Sequence, residues 1–128
     1  MDWEQNDYIL VIEDDERAVE GLTEMLQENG HRVVSFDDGR MALDYLKQKS
    51  ILPRLILLDS ARPEAHSSEF LAERRKDARL ATVPVVGIST GETSHEQPPS
   101  SSLAQMLTKP LSVDAVLGAV QRWAPAQA

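Results

Sequence analysis

The chain has 128 residues and no cysteine, and its 13 Lys and Arg against 21 Asp and Glu give a formal net charge of −8 with histidine neutral. That length suits one domain, 1–128, with a core of about 8–123, and the missing thiols exclude a disulfide framework, a thiolate zinc centre and a cysteine nucleophile. The longest apolar runs fall far short of the roughly 20 residues a bilayer span needs, and acid excess with dispersed Lys and Arg argues against nucleic acid and for metal cations or basic protein surfaces.

The acidic start Met1-Asp2-Trp3-Glu4 lacks the basic, apolar character of a secretory leader. The first apolar run, Tyr8 to Ile12, is continuous, as in a strand covered on both faces, and Glu13, Asp14 and Asp15 follow it directly. Ala18, Val19, Leu22, Met25 and Leu26 then form a helical stripe, which Asn29-Gly30 closes. Asp15 is placed to start this helix, because its charge favours the positive end of the dipole. Val33 to Phe36 reads as the second strand, and Asp37 and Asp38-Gly39 open the second helix. Leu55 to Leu58 is the third strand, ending at Asp59.

The third helical slot, roughly Ser67 to Ala78, has only Phe70, Leu71 and Ala78 as apolar contacts, and Arg74, Arg75, Lys76 and Arg79 make it the most basic part of the chain. A solvated helix face is the expectation there, since charged residues mostly face water. Val83 to Ile88 is the fourth strand and Ser89 ends it. The next slot, Gly91 to Ser102, contains no apolar residue and carries Pro98-Pro99, so a degraded fourth helix of one turn at most is expected. Met106 and Leu107 mark a fifth strand, followed by Lys109 and Pro110. Ser112 can cap a last helix whose stripe runs Val113, Val116, Leu117, Val120 and Trp123. His31, His66 and His95 fall among loop signals and read as solvated.

Alternating strands and helices imply a parallel sheet with helices on both faces. Ligands of such sheets bind beyond the carboxyl ends of the strands, where strand order reverses. The cluster Glu13, Asp14 and Asp15 therefore converges with Asp59 on one pocket. Crowded carboxylates repel unless a cation neutralises them, and magnesium prefers hard oxygen ligands of this kind. Ser89 and Lys109 bring a hydroxyl and an ammonium to the same rim, so the set is arranged for phosphoryl transfer to Asp59.

These segments carry a family resemblance. ILVIEDDERAVEGL, DDGRMAL, PRLILLD, PVVGIST and LTKP resemble the motifs of the response-regulator receiver domain of two-component signalling, over about Tyr8 to Trp123. The resemblance implies an α/β, flavodoxin-like doubly wound sheet of five parallel strands in the order 2-1-3-4-5. It implies magnesium held by Glu13, Asp14, Asp59 and the backbone carbonyl of Ala61, phosphorylation of Asp59, and contacts from Ser89 and Lys109 to the phosphoryl group. It also suggests a cis peptide between Lys109 and Pro110. Ser67 stands where the family has glycine, Met106 where it often has a switch aromatic, and Arg62 near the rim is an ordinary surface residue.

The reading is a cytoplasmic single-domain phosphorelay receiver, with no effector segment after Ala128. A histidine kinase or phosphotransfer protein would supply the phosphoryl group, and a downstream protein target would read the changed surface. A homodimer is left open; direct nucleic-acid contact and membrane insertion are not expected. The alternatives are a pseudo-receiver that binds protein without taking phosphate, and a small magnesium-dependent phosphohydrolase. The latter would want a general acid beside the nucleophile and a cap, which Ser60, Ala61 and the short chain do not supply.

Overall fold

A computed structural model of the protein describes residues 8–59, 67–89 and 103–124. Five strands carry the apolar runs: β1 (Tyr8–Ile12), β2 (Arg32–Phe36), β3 (Leu55–Asp59), β4 (Val85–Ser89) and β5 (Gln105–Thr108). They form one parallel sheet in the order β2-β1-β3-β4-β5, as expected. Four helices cover it among the described residues: α1 (Glu16–Glu28), α2 (Gly39–Gln48), α3 (Ser67–Lys76) and α4 (Val113–Trp123).

Side chains alternate faces along a strand, so the continuous apolar runs supply two cores at once. Ile9, Val11, Leu55, Leu57, Val86 and Ile88 pack with Leu22 and Leu26 of α1 and with Val116, Ala119 and Val120 of α4. Leu10, Ile12, Ile56, Leu58 and Val85 point the other way, against Ala42, Leu43 and Leu46 of α2 and Phe70 and Leu71 of α3.

The boundary signals act as local chemistry dictates. Asp15, Asp38 and Ser112 are the N-caps of α1, α2 and α4, and each side chain accepts a backbone N–H of the first turn. Gly30 follows the C-cap Asn29 with φ of 86°, a left-handed conformation that glycine adopts without strain. The Lys109-Pro110 peptide is cis.

Several expectations need correction. The third helix ends at Lys76, and Asp77 accepts N–H groups from Arg79 and Leu80 to start a short 3-10 turn, Leu80–Thr82. Ala78 is exposed outside the helix, and β4 begins at Val85 rather than Val83. Arg74 is half-buried rather than solvated, and Arg79, although exposed, also reaches carbonyls of another element. The Arg74 guanidinium donates to Val83 O at 2.6 Å and Ala81 O at 3.2 Å, and Arg79 donates to Leu46 O at 2.9 Å and to Lys49 O at the end of α2. Arg75 and Lys76 are exposed as expected.

In α4, Val113 and Trp123 are exposed rather than buried. The Trp123 indole N–H donates to Gln105 Oε1 at 2.9 Å, so the ring rests at the edge of β5. His31 is half-buried, with Nδ1 at 2.7 Å from Arg54 Nη2, and not simply solvated. Burial, and then the Arg54 charge, lower its pKa. The expected absence of a full helix over 91–102 falls outside the described residues, as do Trp3, Arg62, His66 and His95.

Candidate functional site

Register decides which residues meet at the carboxyl edge of the sheet. Ile12 pairs with both Phe36 and Leu58, Asp59 pairs with Ile88, and Ser89 pairs with Thr108. Glu13 thus emerges beside Asp59, and Lys109 beyond Ser89. The Glu13 N–H still donates to Phe36 O at 3.0 Å, and the Lys109 N–H donates to Ser89 O at 2.7 Å, so both backbones are held while their side chains turn inward.

The carboxylates of Glu13, Asp14 and Asp59 offer oxygen atoms within 4.8 Å of one another. Glu13 and Asp59 are each only 1 % exposed, and Ser89 is buried beside them. Lys109 answers this charge: its Nζ lies 3.0 Å from Glu13 Oε1 and 3.8 Å from Asp59 Oδ2. The ammonium is thus closer to the acid on β1's end than to the one on β3. The Asp15 N–H donates to Glu13 Oε2 at 3.3 Å, a contact with no signature in composition or periodicity. Only the N-cap position of Asp15 hinted at it.

Burial and the neighbouring Asp59 push the Glu13 carboxyl up to about 7, against the opposing pull of Lys109. Burial alone would lower the Lys109 pKa, yet it is raised, because Glu13, Asp59 and Asp15 favour its charge. One ammonium set against three carboxylates leaves negative charge to be offset. The all-oxygen donor set fits a hard divalent cation, which would compete with protons for Glu13. Ala61, expected to add a carbonyl ligand, lies outside the described residues.

A profile of the response regulator receiver domain matches residues 9–121. The chain belongs to the response regulator receiver domain family. Protein PilH of Pseudomonas aeruginosa is 26 % identical to this receiver domain over 111 residues, covering 85 % of this chain and 90 % of PilH. Among solved structures, the receiver domain of a Pseudomonas aeruginosa sensor histidine kinase, with magnesium coordinated in its active-site cleft, superposes with a TM-score of 0.82 at 22 % identity, covering 94 % of this chain and 99 % of that one. The phosphorylated cyanobacterial phytochrome response regulator RcpA superposes with a TM-score of 0.76 at 28 % identity, covering 92 % of this chain and 94 % of that one.

The receiver domain therefore has the sheet order its motifs imply, with Glu13, Asp14, Asp59, Ser89 and Lys109 at one edge. Among the described residues, no helix is long and apolar enough to cross a membrane.

Proposed function

We propose that this receiver domain accepts a phosphoryl group on Asp59 from a histidine kinase or phosphotransfer protein, with magnesium held by Glu13, Asp14, Asp59 and the Ala61 carbonyl. The observation that carries the reading is the Asp59 carboxylate, buried at the end of β3 within 3.8 Å of Lys109 Nζ and inside a group of three acids. The phosphorylated relative RcpA lends support.

An Asp59 oxygen attacks phosphorus in line with the bond to the donor nitrogen, which leaves with the electron pair. Lys109 turns from Glu13 toward the incoming phosphoryl oxygens, and the Ser89 hydroxyl donates to one of them. Bound magnesium supplies the divalent charge that lets a dianionic group approach three carboxylates. The chain acts as one domain in the cytoplasm, a signalling phosphoacceptor rather than a turnover enzyme. Its output is an altered surface read by a downstream protein.

The test is intact mass after incubation with magnesium and acetyl phosphate. The parent should gain one phosphoryl group, lost on treatment with EDTA beforehand, and Asp59→Asn should gain none. Phosphate on the Asp59→Asn protein would overturn the assignment.

A further inference from the structure

Asp15 is the acid of the Glu13-Asp14-Asp15 run that stands outside the metal-binding group, and it carries two separable properties. Its Oδ1 accepts the Arg17 N–H at 2.9 Å as the N-cap of α1. Asparagine and serine serve that position about as well as aspartate. The hydrogen bond accordingly needs no charge. A full carboxylate is there nonetheless, pinned at the rim, adjacent in the chain to Asp14, with its own N–H on Glu13 Oε2.

The placement matters because α1 starts at this rim. A helix N-terminus bears about half a positive charge, which favours anions and opposes a cation bound in front of it. A carboxylate fixed on the first turn cancels that opposition.

We propose that Asp15 is an electrostatic positioning residue of the cation site, strengthening magnesium binding without ligating the ion. This rests on the reading of Glu13, Asp14 and Asp59 as the magnesium ligands. A single charge near a divalent ion, at the distances of a neighbouring residue and in nearly aqueous surroundings, alters affinity about two- to fivefold at low ionic strength and less as salt rises.

The experiment titrates MgCl2 into the full chain and follows backbone amide shifts by NMR, at low and at high salt. The dissociation constant should rise about two- to fivefold in Asp15→Asn and equally in Asp15→Ser, at low ionic strength, with the difference shrinking in salt. Glu28→Gln, at the far end of α1, should leave it unchanged. Melting temperatures in EDTA should stay within a few degrees of the parent for Asp15→Asn, since the cap persists and only a dipole contribution of about 0.3–1 kcal/mol changes. Unchanged magnesium affinity in both Asp15 variants at low salt would overturn the proposal, as would an equal loss in Glu28→Gln, which would indicate net charge alone. Asp14→Asn separates the two readings. If it abolishes binding while the Asp15 variants change nothing, only the role of Asp15 fails; if it leaves binding intact, the ligand assignment fails and takes this proposal with it.

Discussion

Glu13 shows how one side chain couples protons, metal and stability. Its folded pKa of about 7 lies above the ordinary value of 4.5, so the folded state holds a proton that the unfolded chain gives up more readily. The stability this supplies is fully present below about pH 4.5 and is lost as pH rises through 7. His31 works in the opposite sense: its lowered pKa makes the folded state bind fewer protons, so its contribution grows as pH rises through the ordinary histidine range. Substitution isolates the first effect. In EDTA, Glu13→Gln should be more stable than the parent at pH 8 by a few kcal/mol, and the gap should close toward pH 5, measured by urea denaturation at each pH. A gap independent of pH would show that Glu13 is ionised throughout.

Elements here are joined by arginines as well as by apolar stripes. Arg74 on α3 donates through Nε at 3.1 Å and Nη2 at 2.6 Å to Val83 O, just before β4 begins. A planar guanidinium spans such carbonyls where an ammonium cannot. Arg74→Ala would leave the Val83 and Ala81 carbonyls without these donors, at a cost of about 1–3 kcal/mol. Arg74→Lys should recover little of it, and the urea midpoint should fall in both variants with an unchanged slope. Arg75→Ala, exposed on the same helix, should fall within about 0.5 kcal/mol of the parent. Alanine is the better helix former, so equal losses at both positions would mean that the carbonyl clamp is not what Arg74 contributes. In β4, a Cβ on Gly87 would lie 2.9 Å from Leu103 Cδ1 and 3.0 Å from Met106 Sδ, so the glycine makes room for the side chains before and on β5.

At the scale of the whole molecule, the sheet gathers charge that no single element would tolerate. Glu13, Asp14 and Asp59 come from two strands and are offset by Lys109 from beyond a third. A cation that binds the folded chain and not the unfolded one stabilises it by mass action, about 2.7 kcal/mol at a hundredfold excess over its dissociation constant. Magnesium should therefore raise the melting temperature by several degrees, and more at pH 8 than at pH 6, because the ion displaces the Glu13 proton. Asp14→Ala should remove the shift in a thermal melt followed by circular dichroism. A shift that persists in that variant would place the ion elsewhere.

The parallel sheet with helices on both faces, the caps at Asp38 and Ser112, the Asn29-Gly30 stop and the arrival of Glu13, Asp14, Asp59, Ser89 and Lys109 at one edge were legible in the sequence, whereas the strand order was implied by the family resemblance. Apolar periodicity, capping and turn chemistry are local properties, and the handedness of crossovers only narrows the topologies that their order allows. What the tertiary structure alone decided depends on distances between residues far apart in the chain. It set Lys109 nearer to Glu13 than to Asp59, buried the Glu13 carboxyl so that its pKa rises, and turned Arg74 and Arg79 onto carbonyls of other elements. It also drew His31 to Arg54 and left Trp123 at the edge of β5. A charged side chain faces water by default, and only the packed molecule reveals an orphan carbonyl or acid within its reach.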